Sequence, residues 1–84
     1  MRKKEKQDLR KAVAAKIREI RGAESQRAFG KKCQLSQARV SELEAGGGMP
    51  GMVVLLGICR ATGTDPMEFV RLVPGFETKG GGHE

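Results

Sequence analysis

The chain has 84 residues, 38% of them hydrophobic, and a formal net charge of +6. This length predicts one small domain with a modest core. The lack of any long apolar run excludes a transmembrane helix or a signal-peptide core, so we expect a cytoplasmic protein. Residues 1–21 hold nine of the 16 Lys and Arg residues. Such a basic segment favours a polyanionic partner such as nucleic acid, although a solvated, charge-rich helix would have the same composition.

Residues 1–6 predict a basic N-terminal arm, and a helix follows it as far as Arg21. The helix is indicated by apolar residues that recur at spacings of four, four and three: Leu9, Val13, Ile17 and Ile20. They form one stripe, with Lys and Arg on the other faces, and Gly22 ends the helix. The arm either follows phosphates or a minor groove, or is a solubilising lead.

Two short helices joined by a tight turn are predicted next. Ser25 is placed to cap the second helix. The inward residues of this helix are expected to be Ala28, Phe29 and Cys33. Gln34-Leu35 then makes the turn into the third helix.

The third helix runs from about Gln37 to Ala45. Ser36 is its N-cap, which places Leu35 and Val40 at the two positions of a hydrophobic staple. Gly46 suits the left-handed residue that closes a helix.

The rest of the chain predicts two more helices and a tail. Pro50 sets the first turn of the fourth helix, and Thr62-Gly63-Thr64 ends it. Asp65-Pro66 opens the fifth helix as a cap followed by proline, and residues 77–84 form a flexible, Gly-rich tail. The inward residues are expected to be Val54, Leu55, Ile58 and Cys59 in the fourth helix, and Met67, Phe69, Val70, Leu72 and Val73 in the fifth. Because no strand-like alternation occurs, residues 7–76 predict one all-α domain.

The residues needed for catalysis or metal binding are missing from the sequence. The single histidine, His83, lies in the tail, without zinc-ligand spacing and without a nucleophile to activate. Cys33 and Cys59 stand at apolar positions, so buried, inert thiols are favoured over a redox switch or a disulfide. Gly46–Gly48 lacks the Lys-Ser/Thr pair of a phosphate-binding loop. We therefore predict no enzyme, no cofactor and no metal.

A helical wheel divides the third helix into an inner and an outer face. Val40 and Leu43 point inward. The opposite face carries four side chains able to contact base edges: Gln37, Ala38, Ser41 and Glu42. Four further residues are placed to reach phosphates: Gln26, Arg27, Ser36 and Arg39. On the wheel alone, an ordinary helical hairpin with a polar outer face is an equally good interpretation.

Several motifs inside and outside this segment follow one another in a set order. They are Ser25-Gln26, Gly30, Gln34-Leu35-Ser36, Val40-Ser41, Glu44-Ala45-Gly46, Pro50 and Thr62-Gly63-Thr64-Asp65. By these motifs, the stretch from Ile17 to Phe69 resembles the helix-turn-helix domain of phage repressors and Cro proteins, the XRE family. The resemblance implies a compact, five-helix, repressor-like domain with the helix-turn-helix at helices 2 and 3.

The resemblance also implies roles for individual residues. Gln26 would bind phosphate, and Glu44 would pair with an arginine of helix one, either Arg18 or Arg21. The residues that would face base edges are Gln37, Ala38 and Glu42.

Several residues depart from the family pattern. Glu24 stands where an aliphatic residue is usual, and Thr62 and Thr64 stand where aliphatic residues are common. Gln34 replaces the usual turn glycine, so a left-handed backbone there would carry some strain. Gly30 replaces the usual alanine, which allows close contact between helices but weakens helix two.

Fold and motifs together predict a sequence-specific, double-stranded DNA-binding transcriptional regulator. Repression by a homodimer on a palindromic operator is the simplest mechanism, since one module buries little DNA. A candidate dimer surface, which packing against helix one would explain as well, consists of Val70, Leu72, Val73 and Phe76. The alternative function is an antitoxin that binds a toxin and autoregulates its operon. A membrane-surface helix at residues 2–21 is disfavoured because its apolar stripe lacks aromatic residues.

Overall fold

Five α-helices form the described part of the chain. In the computed structural model, the backbone is described for residues 3–73 and the side chains for residues 7–73. The helices are α1 (Lys3–Arg21), α2 (Gln26–Cys33), α3 (Gln37–Glu44), α4 (Met52–Thr62) and α5 (Met67–Val70). No strand occurs within residues 3–73, so the prediction of an all-α, five-helix fold is confirmed. The predicted tail, with His83, lies outside the described residues.

The first helix is longer than the sequence pattern predicted. It begins at Lys3 rather than near residue 7, because Lys, Glu and Gln are good helix formers and extend the helix into the basic segment. The predicted apolar stripe faces the core, with full burial of Leu9, Val13 and Ile17 and partial burial of Ile20. Gly22 ends α1 in a left-handed conformation, and its N–H donates to the Arg18 carbonyl at 3.0 Å.

Both predicted serine caps are present. The Ser25 hydroxyl oxygen accepts a hydrogen bond from the Ala28 N–H at 3.0 Å, and the Ser36 oxygen accepts one from the Arg39 N–H at 3.1 Å. Each bond satisfies an N–H group that has no partner inside its helix. At the far end of α3, Gly46 has a φ of +74°, which is the left-handed conformation that the sequence predicted.

A left-handed glutamine forms the turn between α2 and α3. Gln34 has φ 61° and ψ 40°, a conformation that residues with a Cβ atom seldom adopt. The N–H of Leu35 donates to the Gly30 carbonyl at 2.7 Å, so the turn closes the last part of α2 and directs the chain into α3. The strain expected at Gln34 is therefore a feature of the fold.

The chain around Gly30 brings α2 and α3 close together. A Cβ atom at Gly30 would lie 2.5 Å from the Leu35 carbonyl oxygen and 3.2 Å from Val40 Cγ2, so a larger residue would force a shift. The expectation that Ala28 faces inward was wrong, because Ala28 is exposed. The eight-residue α2 presents only a narrow face to the core, and Phe29 and Gly30 fill it.

The fourth helix begins later than predicted. Pro50 is buried and precedes the N-cap residue Gly51, so it is not in the first helical turn. No side chain forms a cap hydrogen bond at Gly51, whose backbone is extended. The four residues expected to face inward do so, fully for Ile58 and Cys59 and partly for Val54 and Leu55. Gly63 ends α4 with a φ of +70°.

The fifth helix is a single turn. The Asp65 Oδ1 atom accepts a hydrogen bond from the Met67 N–H at 3.0 Å, as expected of a cap. Phe69 is buried, and Lys16 Nζ lies 3.3 Å from Glu68 Oε1, which ties α5 to α1. The other residues expected to face inward are partly buried, and they are Met67, Val70, Leu72 and Val73.

One apolar cluster holds the five helices together. Its buried members are Leu9, Val13, Ile17, Phe29, Val40, Leu43, Ile58, Cys59 and Phe69. Within this arrangement α3 contacts both α1 and α2. The helix is therefore supported from two sides, and its remaining side faces outward.

Candidate nucleic-acid interface

The outer face of α3 carries the four side chains predicted to contact base edges. All four are exposed, namely Gln37, Ala38, Ser41 and Glu42. On the inner face, Val40 is 0% exposed and Leu43 is 2% exposed. Burial thus fixes the rotation of α3 about its axis, and the structure brings the four predicted residues together on one accessible face.

Two of the predicted contact residues are bonded to each other. Arg39 Nη1 lies 2.8 Å from Glu42 Oε1, and the two side chains are 34% and 52% exposed. An exposed ion pair of this kind is worth less than about 1 kcal/mol. The ion pair is therefore weak enough to break when either side chain binds a stronger partner.

Gln26 stands at the start of α2, where a buried carboxylate orients its amide. The Nε2 atom of Gln26 donates to Glu44 Oε1 at 3.0 Å. An amide nitrogen carries two hydrogens, so one remains for another acceptor. Beside it, Arg27 is exposed, whereas the oxygen of Ser36 already accepts the cap hydrogen bond of α3.

Glu44 is the buried centre of a polar network. Its side chain is 5% exposed, and Arg21 contacts it with Nε at 2.6 Å and Nη2 at 3.0 Å. Arg18 donates instead to the backbone carbonyl of Glu44. The sequence left open which arginine is the partner. In the structure both arginines contact Glu44, since Arg21 pairs with the carboxylate and Arg18 bonds to the carbonyl.

The surroundings of Glu44 favour its charged form. Burial by itself would raise the pKa of this carboxyl. Hydrogen bonds from Arg21 and Gln26, together with the positive charges of Arg21 and Arg18, outweigh burial and hold the pKa below its ordinary value. The hydrogen bond to Glu44 likewise raises the pKa of Arg21. At neutral pH the pair is therefore fully ionised, and it fastens α1 and α2 to the end of α3.

Sequence reasoning missed a second set of contacts at the junction of α1 and α2. Arg21 Nη1 donates to the Glu24 carbonyl at 2.6 Å. The Glu24 carboxylate lies 2.9 Å from Lys32 Nζ. The available signal was Glu24 itself, which stands where an aliphatic residue is usual; its carboxylate is 39% exposed and forms a surface ion pair.

Neither cysteine is activated. Cys33 is half-buried and Cys59 is buried, and both thiols are free. Burial raises the pKa of each thiol, which keeps it protonated and weakly nucleophilic at neutral pH. Within residues 7–73, no group of three or more His, Cys, Asp or Glu side chains could hold a metal ion.

Comparison with known proteins adds one finding. A family model described as a helix-turn-helix domain matches residues 12–72. No curated protein and no solved structure matched the chain. The matched range spans α2 to α5 and every predicted contact residue, and it leaves out residues 3–11 of α1. Over residues 3–73, none of the helices combines the length and apolar character needed to cross a bilayer.

Proposed function

The chain belongs to the helix-turn-helix domain family, and from this membership we propose that it is a sequence-specific, double-stranded DNA-binding regulator of transcription. The observation that carries the proposal is the outer face of α3. Its four exposed side chains stand on a helix whose inner face is fully buried and whose end is fixed by Glu44. A rigid helix with small and amide side chains outward suits the major groove.

Each exposed side chain of α3 contacts a different group on the base edges. Gln37 bonds bidentately to adenine, Ala38 contacts a thymine methyl group, and Glu42 accepts from cytosine N4 once Arg39 has left it. Ser41 adapts to either base of a pair. A good bidentate contact contributes about 1–3 kcal/mol of discrimination against the wrong base.

Phosphate contacts fix the helix in the groove. Gln26 offers its second amide hydrogen, and Arg27 and Arg39 offer charge, while the hydroxyl hydrogen of Ser36 adds a donor beside the free N–H groups of α3. When the protein binds DNA, the Arg39–Glu42 ion pair breaks and Arg39 contacts a phosphate instead. These contacts supply affinity and register rather than sequence preference. Residues 1–6, the basic arm, add further phosphate contacts. The proposed DNA-binding domain comprises residues 7–76, and residues 77–84 form the tail.

A second copy of the chain completes the DNA-binding unit. The large apolar side chains that are exposed among the described residues lie in α4 and in the loop before it. We call this set the α4 face, and it consists of Met49, Met52, Val53 and Leu56. Of the dimer surface expected from the sequence, Val70 is partly buried, Leu72 and Val73 are partly buried against the core, and Phe76 lies outside the described residues. The α4 face is therefore the better candidate for the dimer contact.

The composition of α4 supports this choice. Residues 52–59 include no polar or charged side chain, and a helix that is apolar on every side is normally buried. Val53 is 85% exposed and Met52 is 71% exposed. For a homodimer we expect half-sites about one helical turn, or 34 Å, apart. Repression by blocking polymerase is the simplest outcome, and no catalytic step is part of the proposal.

The alternative function is an antitoxin that binds a toxin and regulates its own operon. The α4 face is the observation in its favour, because an antitoxin needs a surface for a protein partner. A toxin-like reading frame beside the gene, with a complex of the two products on co-expression, would support it. Both roles require contact with DNA, which agrees with the cytoplasmic location predicted from the sequence.

Selection of bound sites from random duplex DNA, at a stated salt concentration, tests the proposal. We expect an enriched motif with two-fold symmetry. Gln37→Ala should then change the preferred base at one position of each half-site, at a cost of about 1–3 kcal/mol. Equal weakening on all sequences would contradict the base contact. No enrichment with the folded wild-type protein would contradict sequence-specific binding.

A further inference from the structure

A basic cleft lies between α1 and the loop that follows α3. Its volume is about 330 Å³. It is lined by Gln7, Arg10, Lys11, Ala45 and Gly46. Among the described residues, the side chains that line it include two cations and an amide but no carboxylate, so the cleft favours an anion.

Arg10, one of the residues that line the cleft, has a donor without a partner. Its Nε atom is buried and forms no hydrogen bond within the described residues. A buried donor without an acceptor is destabilising, and a phosphate oxygen is a strong partner for a guanidinium group. The unpaired Nε–H therefore points to an anionic ligand.

An arginine at this place would ordinarily cap the end of α3, but other groups already do so. The carbonyls of Ser41, Glu42 and Leu43 accept from the N–H groups of the next loop, at 3.0, 3.0 and 3.2 Å respectively. The carbonyl of Glu44 accepts from Arg18. All four terminal carbonyls of α3 thus have partners, and Arg10 is not required for them.

The position of the cleft beside the end of α3 favours a DNA phosphate as the anion. An α-helix of eight residues is about 12 Å long, which is about the width of the DNA major groove. When the first residues of α3 contact base edges, its far end, and the cleft beside it, lie at the edge of the groove. Backbone phosphates line this edge.

We propose that the cleft binds one backbone phosphate of duplex DNA, with Arg10 as its main ligand and Lys11 beside it. The inference rests on the proposed DNA-binding function. Both residues precede the matched range of 12–72, so the family model does not cover this contact. The phosphate contact would lengthen the footprint beyond the base pairs that α3 contacts.

The salt dependence of DNA binding tests the proposal. Arg10→Gln should lower the slope of log affinity against log salt by about 0.9, the effect of one lost phosphate contact. Between 50 and 200 mM salt, affinity should then fall about threefold less than for the wild type. The weakening should be equal on the selected site and on a random duplex. The matched control is Arg71→Gln, which removes the same charge from an exposed residue after α5 and should leave the slope unchanged.

Two outcomes separate this inference from the function on which it rests. If wild-type protein binds neither duplex, the proposed function fails. If it binds and Arg10→Gln has the same slope as Arg71→Gln, only the assignment of the cleft is overturned. Lys11→Gln, at an exposed residue, gives a second variant should Arg10→Gln melt early, and the same slope comparison applies to it.

Nuclear magnetic resonance distinguishes DNA phosphate from a free anion. The Arg10 Nε–H resonance of the wild-type protein should shift when duplex DNA is added. Inorganic phosphate at the same phosphate concentration should leave it in place. An equal shift with inorganic phosphate would overturn the assignment to DNA, and no shift with DNA would overturn the site.

Discussion

Glu44 joins three helices through one carboxylate. Arg21 of α1 and Gln26 of α2 both bond to it, while Arg18 holds its backbone carbonyl. Since the side chain is only 5% exposed, loss of Arg21 would leave a buried carboxylate without its ion-pair partner. The same residue therefore controls both the stability of the fold and the placement of α3.

Substitution of Glu44 should be costly. Glu44→Gln keeps the shape but leaves the Arg21 guanidinium without its counter-charge, so we expect the free energy of unfolding to fall by about 3 kcal/mol. The control is Glu42→Gln, which breaks an exposed pair and should cost less than about 1 kcal/mol. Urea denaturation measures both. Equal losses in the two variants would contradict the network.

Titration of Glu44 should make the free energy of unfolding depend on pH. Its pKa is lowered in the folded state, relative to about 4.3 for an unfolded chain. The stabilisation is therefore complete well above pH 4.3 and is lost as pH falls through the lower, folded-state pKa. Between pH 7 and pH 3, the stability gap between wild type and Glu44→Gln should narrow in denaturation curves. A constant gap would show that Glu44 does not titrate with folding.

Gln34 is a residue at which the native sequence is suboptimal for stability. Its φ of 61° disfavours any side chain with a Cβ, whereas glycine adopts it freely. Gln34→Gly should raise the free energy of unfolding by roughly 0.5–1 kcal/mol. Gln34→Val, with its branched Cβ, should lower it. Thermal denaturation of the two variants, side by side with wild type, measures both signs.

At the scale of helices, the sequence predicted helix ends correctly where a single residue determines the end. Ser25, Ser36 and Gly46 were assigned correctly from the sequence, because a cap depends on its own hydroxyl or on its own φ. Pro50 was assigned to the first turn of α4, but it precedes the N-cap. Ala28 was placed inward but is exposed, since the face that α2 turns to the core is occupied by Phe29 and Gly30.

What needed the three-dimensional structure was the pairing of distant residues. Nothing in the sequence distinguishes Arg18 from Arg21, because the choice depends on how far along α1 the end of α3 is placed. The cleft at Arg10 could not be predicted from the sequence either, since its two sides come from α1 and from the loop after α3. The outer face of α3 was predictable because a single helical period determines it.

The contact between α2 and α3 should be sensitive to one methyl group. Gly30→Ala would improve helix propensity by about 1 kcal/mol at an unhindered site. Here its Cβ would lie 2.5 Å from the Leu35 carbonyl oxygen, so we expect a net loss of about 1–3 kcal/mol from overpacking. The control is Gly57→Ala in α4, where a Cβ meets nothing within 4 Å. A stabilised Gly30→Ala variant would contradict the close approach.

Across the whole molecule, charge and apolar surface are separated. The basic residues are concentrated in α1, whereas residues 52–59 of α4 are uncharged. This division suits a protein with two interfaces, one for a polyanion and one for a protein. The first requires charge at the groove edge, and the second requires an apolar patch that copies of the chain can share.

Disruption of the α4 face should separate the copies. Val53→Glu places a charge at a side chain that is 85% exposed, so folding should be unaffected while dimerisation weakens by at least about tenfold, or 1.4 kcal/mol. The control is Ala23→Glu, at an exposed residue outside the face. Sedimentation of each variant, free and on a palindromic site, measures the mass. Wild-type protein that remains a monomer in both conditions would eliminate the dimer.

The uncapped start of α4 has a consequence for motion. The first N–H groups of this helix have no side-chain acceptor at Gly51, unlike those of α2 and α3, so its first turn opens at a lower free energy than the helices around it. That turn carries Met52 and Val53 of the α4 face. Docking of a second copy would close it, and slowed hydrogen–deuterium exchange at residues 52–54 would then report assembly directly. In the proposed dimer, local opening of this turn and docking of a second copy would therefore oppose each other.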